Sequence, residues 1–208
     1  VSWPAKGLNE LQNINISGIN EEDRLIFFIG RLVPEKGVMC LLKAVSRLVK
    51  EVPDIKLVIA GQGPQGKFLK QQAAELGIED RVVFTGFIKD EVRDWFYQRT
   101  EVAVFPSLYE PFGIVALEAM AAGTPVIVSN VGGLAEIIED GITGLKVSPD
   151  NDEELALALE KLLDDNTLAA QLRANAFRVL EDRYSWSKIA QKTVGVYETV
   201  VNRRELRR

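Results

Sequence analysis

The chain has 208 residues, a formal net charge of −5, 47% hydrophobic residues and 26% charged ones. These proportions suit one globular domain with a substantial core, and they exclude a disordered or fibrous protein and the broad basic surface of a nucleic-acid binder. The chain holds no histidine, which removes Ser-His-Asp, Cys-His and histidine–metal chemistry, and its one cysteine, Cys40, reads as a small apolar residue of a protein in the reducing cytoplasm.

Residues 1–24 carry Pro4, Gly7 and Gly18 without a clear period and read as an irregular lead-in, with no signal-peptide pattern. From Leu25 short apolar runs alternate with segments of helical period. The expected order is strand Leu25–Gly30, helix Val38–Glu51, strand Ile55–Ala60, helix Gln65–Leu76, strand Val82–Thr85, helix Asp90–Tyr97 and strand Val102–Phe105. Helix Gly113–Ala122, strand Pro125–Ser129, a short helix near Leu134–Ile138 and strand Gly144–Val147 follow. Runs such as "LIFFIG", "KLVIAG" and "VAVFPS" are what strands buried on both faces require. The reading is α/β: a doubly wound, Rossmann-like parallel sheet of about six strands with helices on both faces.

After "DNDEEL" the chain reads as all helical: Glu153–Asp164, Leu168–Arg183 and a last segment from Trp186. There Trp186, Ile189, Thr193, Tyr197 and Val200 recur at helical spacing. Residues 25–183 are expected to form the ligand-binding domain and 184–208 a C-terminal helix with a basic tail. Arg203, Arg204, Arg207 and Arg208 of that tail suit a solvated terminus or a membrane or partner contact, and no other feature indicates a membrane. The apolar stretch Phe112–Val128 is broken by Glu118 and by Gly123-Thr124-Pro125, so it is no bilayer span.

Ligands of doubly wound sheets sit beyond the carboxyl ends of the strands, so the turns there are the candidate site. In "LVIAGQGPQG", Gly61, Gly63 and Gly66 match the G-x-G-x-x-G of a dinucleotide-binding turn. An NAD site also needs a ribose-binding acid about 20 residues on, at the end of a second strand, where this chain has "RVVFTGF". The turn also follows the second strand rather than the first, and Gly66 reads as a coincidence at a helix start.

"GRLVPEKG", from Gly30 to Gly37, puts Arg31 and Lys36 just ahead of a helix N-terminus, which suits either a diphosphate cradle or an exposed charged loop. "FPSLYEPFGIVALEAM" carries Glu110 before a helix and Glu118 inside it. A glutamate among Ala116, Leu117, Ala119 and Met120 needs donors, either the vicinal hydroxyls of a ribose or an internal salt bridge.

Together with "AGQGP", "VVFTGF", "EPFGIVALEAMAAGTPVIVSNVGG", "LAEIIEDGITGLKVSPDN" and "YSWSKIAQKTVGVYETVV", these stretches resemble the nucleotide-sugar-binding C-terminal half of retaining GT-B glycosyltransferases of family 4, the group 1 type. The resemblance runs from Leu25 over nearly the whole chain, and its most specific element is the E-x7-E stretch from Glu110 to Glu118. It implies that Arg31 and Lys36 bind the donor diphosphate and stabilise the departing nucleoside diphosphate without a metal. Glu110 would face the transferred sugar and Glu118 would hold the ribose. The backbone of Phe112, Gly113, Ile114 and Val115 would touch sugar and phosphates, and Phe87 and Ile88 would border the base. Gly30, Gly61 and Gly63 would let backbone approach the nucleotide.

"DND", Asp150–Asp152, resembles a metal-binding D-x-D but precedes an amphipathic helix, where a helix-start role is expected. The resemblance further implies that the acceptor site belongs to an N-terminal GT-B domain of the same polypeptide, onto which the last helix crosses. The chain, starting at Val1, is accordingly expected to be an excised domain with little transfer activity of its own. The expected function is the donor-binding part of a metal-independent glycosyltransferase whose substrate is a UDP-, ADP- or GDP-sugar and which needs no cofactor. Its rivals are a non-catalytic nucleotide-sugar-binding module, a nucleotide-sugar epimerase of the same architecture, and the NAD enzyme.

Overall fold

A computed structural model describes residues 16–205, with side chains to residue 201. The first part of the expected lead-in and the side chains of the basic tail lie outside the described residues. The strands are β1 (Arg24–Ile29), β2 (Ile55–Ala60), β3 (Val82–Gly86), β4 (Val102–Phe105), β5 (Val126–Ser129) and β6 (Leu145–Val147). They form one parallel sheet in the order β3-β2-β1-β4-β5-β6. The winding reverses between β1 and β4, and a crevice at that point is where doubly wound sheets hold ligands.

Strand alternation divides the core into two halves. Ile26, Phe28, Leu57, Ile59, Val102 and Val104 face α1 (Val38–Leu48), α2 (Gly66–Glu75) and α6 (Asp152–Asp164). Leu25, Phe27, Val58, Ala103 and Phe105 face α3 (Asp90–Arg99), α4 (Ile114–Ala121) and α5 (Gly132–Ile137). On this second face the Phe27 ring stacks on Phe96 at 4.9 Å and meets Tyr97 edge-on at 5.3 Å, which fixes α3 against the central strand. Cys40 is buried in the first half, and burial pushes its thiol up to about 12, so it packs as an inert apolar group.

Three helical segments differ from the sequence reading. Helix α1 stops at Leu48 rather than Glu51, closing in a turn ahead of Pro53, which disfavours helical backbone in the residue before it. The helix expected over 168–183 ends at Val179 as α7 (Asn166–Val179), and a π-helical turn, Leu180–Tyr184, leads into α8 (Trp186–Glu205). Short 3₁₀ turns at Pro34–Lys36 and Glu79–Arg81 were not anticipated. Along α8, Trp186, Ile189, Tyr197 and Val200 all remain exposed, leaving the apolar stripe without a partner among the described residues. Among those residues no helix is long and apolar enough to cross a membrane.

Gly61 shows how the turns are built. Its φ of +130° is closed to other residues, and a Cβ there would lie 1.8 Å from the Gly30 carbonyl oxygen. A Gly61→Ala substitution is therefore expected to cost about 3 kcal/mol or more, read as a lower denaturant midpoint at unchanged slope. A loss below about 1 kcal/mol would show that the two turns can part freely.

Candidate functional site

The turns after β1 and β4 meet at the point where the winding reverses. Pro34 opens the 3₁₀ turn, where its missing N–H costs nothing, and Gly37 leaves it in left-handed conformation at φ +65°. The Glu35 carbonyl then accepts hydrogen bonds from the backbone N–H of Leu108 at 2.8 Å and of Tyr109 at 3.3 Å. Beside this junction the Lys36 ammonium donates to Glu110 Oε2.

Glu110 is only 8% exposed, and a carboxylate so enclosed needs partners on each side. Its Oε1 accepts a long bond, 3.4 Å, from the Gly113 N–H, and its carbonyl accepts the Gly133 N–H at 2.9 Å. A Cβ on Gly132 would lie 2.1 Å from that same carbonyl oxygen, so the "VGG" turn after β5 clasps the "EPFG" turn. Lys36 and Glu110, read separately as a phosphate ligand and a sugar ligand, are thus ion-paired with each other.

Arg31 is exposed and makes no ion pair among the described residues. The turns after β1, β2 and β3 are stitched side by side: Leu32 N–H donates to the Gln62 carbonyl at 3.0 Å, Gln65 N–H to that of Leu32 at 3.0 Å, and Gly61 N–H to that of Gly86 at 2.7 Å. The close approach at Gly61 and Gly63 is to Gly30 and Leu32, which by itself accounts for both glycines. Gly66 opens α2, as the sequence reading had it. Phe87, Phe112 and Ile114 stand exposed along the same edge, while Ile88 and Val115 pack into the second core half.

Glu118 lies one turn down α4 from Ile114, on the side away from the buried Ala116, Ala119 and Met120. Arg93 of α3 approaches it, Nη1 to Oε1, at 3.6 Å, so the internal salt bridge weighed from sequence exists but is too long for a hydrogen bond. Both residues line a cavity of about 700 Å³ walled by Ile114, Leu117, Phe177 and Trp186. Burial pushes the Glu118 carboxyl above its ordinary range, and nearby Asp94 and Asp90 add to this, while Arg93 and the Tyr97 hydroxyl pull it back.

At the "DND" stretch, Asn151 Oδ1 caps α6 by accepting the Glu154 N–H at 3.0 Å and Asp152 pairs with Arg47 at 2.7 Å, so these residues start a helix. Sequence reasoning missed Arg93, because its pairing with Glu118 crosses between helices and leaves no local pattern. It also missed the clasp by Gly132 and Gly133, which the adjacent glycines could have signalled.

A parallel sheet in this order, with its polar turns gathered where the winding reverses, defines a nucleotide-type α/β domain, and here it is the C-terminal domain of the GT-B glycosyltransferase fold. The family described as "Glycosyl transferases group 1" matches residues 9–179, and the chain belongs to it. An uncharacterised glycosyltransferase of Methanocaldococcus jannaschii is 41% identical over 198 residues, 95% of this chain and 50% of that protein. The alpha-D-kanosaminyltransferase of Streptomyces kanamyceticus is 36% identical, covering 86% of this chain and 47% of its own. Among solved structures, Anabaena HepE in complex with UDP superposes with a TM-score of 0.79 at 28% identity, over 86% of this chain and 49% of that one. The chain thus spans about half the length of these relatives.

The raised Glu118 carboxyl has a consequence for stability. A carboxyl that protonates more readily when folded stabilises the fold below its unfolded value, and that contribution is lost as pH rises through the folded value. Thermal unfolding of the parent chain and of Glu118→Gln, followed from pH 4 to pH 8, should diverge: the parent loses more stability, and the variant melts higher at pH 8. Because Glu118 is partly solvated, the difference should stay below about 1 kcal/mol. A variant melting lower at pH 8 would contradict the buried-charge cost.

Proposed function

We propose that this chain is the donor-binding domain of a retaining, metal-independent glycosyltransferase. The observation that carries the reading is the junction at the reversal of winding, where Lys36 and Glu110 are paired, the nearby turn carries Arg31 with no ion pair among the described residues, and α4 starts without a side-chain cap. An ammonium has three donors, so Lys36 can hold Glu110 and still reach a phosphate oxygen. Arg31 offers a planar fork to the second phosphate. Together they stabilise the negative charge gathering on the departing nucleoside diphosphate, as preorganised electrostatics rather than proton transfer.

Glu110, oriented by its ion pair with Lys36, faces the hydroxyls of the transferred sugar. The backbone of Phe112, Gly113, Ile114 and Val115 at the start of α4 contacts the sugar and phosphates, with the Ile114 and Val115 N–H groups available to their oxygens. Glu118 accepts the two ribose hydroxyls, and Phe87 with the backbone at Ile88 borders the base. The solved complexes of Anabaena HepE with UDP and with UDP-glucose support a uridine nucleotide as the first donor to test. The acceptor site is supplied by an N-terminal domain of the same polypeptide, onto which the exposed stripe of α8 docks, and the reaction takes place in the cytoplasm. The chain alone binds nucleotide and transfers little.

Calorimetric titration with UDP, ADP and GDP tests this. One of the three should bind saturably with a Kd of about 1 µM–1 mM, and Glu118→Ala should weaken it roughly tenfold, the loss of one or two charge-assisted hydrogen bonds. Glu110→Ala should leave nucleoside diphosphate binding within about threefold while abolishing transfer in the two-domain enzyme. Failure of all three nucleotides to bind the folded chain would overturn the reading.

A further inference from the structure

We infer that Arg93 is a positioning residue for Glu118: its guanidinium, itself locked by two aspartates, keeps the Glu118 carboxylate ionised and facing the cavity while leaving its oxygens open to ligand hydroxyls. The inference rests on the proposed ribose-binding role of Glu118.

The geometry is asymmetric. Arg93 Nε and Nη2 grip Asp94 Oδ1 at 3.0 and 2.8 Å, and Nη1 holds Asp90 Oδ1 at 3.0 Å. These bonds use three of the guanidinium's five N–H donors and fix its orientation. Glu118, at 3.6 Å, feels the charge but receives no hydrogen bond from it. The Tyr97 hydroxyl of α3 lies within reach of both the Val115 carbonyl, at 3.3 Å, and the Glu118 carboxylate, which it helps to hold ionised. A ligand bearing two neighbouring hydroxyls can therefore take both Glu118 oxygens without displacing a strong internal bond. Such a diol needs a carboxylate, because a protonated carboxyl loses acceptor capacity.

Ionisation is where Arg93 becomes decisive. From α3 the groups facing Glu118 are Arg93, Asp94, Asp90 and Tyr97; from the π turn, Glu181 and Tyr184 line the same cavity; α7 contributes only the apolar Phe177. Arg93 is the one cation of that set. Without it, burial and two neighbouring aspartates act to protonate Glu118, opposed only by the Tyr97 hydroxyl among these groups.

The test compares the parent chain with Arg93→Gln and Arg93→Lys. The Glu118 carboxyl is titrated by ¹³C NMR, its resonance identified by its loss in Glu118→Gln, and UDP and 2′,3′-dideoxyuridine diphosphate are titrated calorimetrically from pH 5 to pH 8. Arg93→Gln should move the Glu118 titration to higher pH and weaken UDP roughly two- to fivefold at the acid end, with little loss at pH 8. Arg93→Lys should restore most of the parent profile, and the dideoxy nucleotide should be indifferent to all three forms. An unmoved Glu118 titration, or a loss of UDP affinity equal at every pH and for both nucleotides, would overturn the inference. Should the parent not bind UDP at all, the uridine reading of the site fails, and the carboxyl titration still decides whether Arg93 governs Glu118.

Discussion

The ion pair between Lys36 and Glu110 joins the two turns that flank the reversal of winding and sets how the Glu110 carboxylate is oriented. In a doubly wound sheet, the turns after β1 and β4 are driven apart by helices leaving to opposite faces. Here the Glu35 carbonyl and the Lys36 ammonium bridge the gap, and the "VGG" turn closes over the far side of Glu110. A nearly buried carboxylate is costly unless its partners are already in place. Glu110 is held by a cation, by an amide N–H to its side chain and by an amide N–H to its carbonyl, so its orientation is set before any ligand arrives.

Glu118 follows a different logic. It shares α4 with Ala116, Ala119 and Met120, which anchor the helix to the sheet, but it sits on the opposite side, over the cavity. Its charge is disfavoured by burial and by two aspartates, and the one cation paired with it among the described residues stands beyond hydrogen-bond range. Fold stability alone would prefer a neutral side chain there. The two glutamates of one motif are thus held by different means, Glu110 by a direct ion pair and Glu118 by a cation at longer range.

Glycines carry a second layer of the design. The turns after β1, β2 and β3 run edge to edge with their backbones in direct hydrogen-bonded contact, and such contact leaves no room for a Cβ at Gly61 or Gly63. The first two glycines of the "GQGPQG" pattern that looks like a dinucleotide fingerprint therefore arise from packing between turns, while Gly66 has room for a side chain. The same spacing serves two architectures because both require backbone to approach something closely, and here that something is another strand's turn.

The alternation of "LIFFIG", "KLVIAG" and "VAVFPS" with helical segments was enough to specify the strands, their parallel sheet and the edge that carries the candidate site, because short apolar runs of strand length between longer amphipathic segments are what burial on both faces of a sheet requires. Arg31, Lys36, Glu110 and Glu118 were legible for a similar reason: charged residues beside apolar strand ends or within an apolar helix stand out locally. What tertiary structure alone decided is which of them meet. The Lys36–Glu110 pair spans 74 residues and the Arg93–Glu118 pair joins two helices, while the break at Leu180 and the exposed stripe of α8 depend on what each helix packs against. Local pattern reports how far a side chain is from water; only the folded chain sets the distance between two charges.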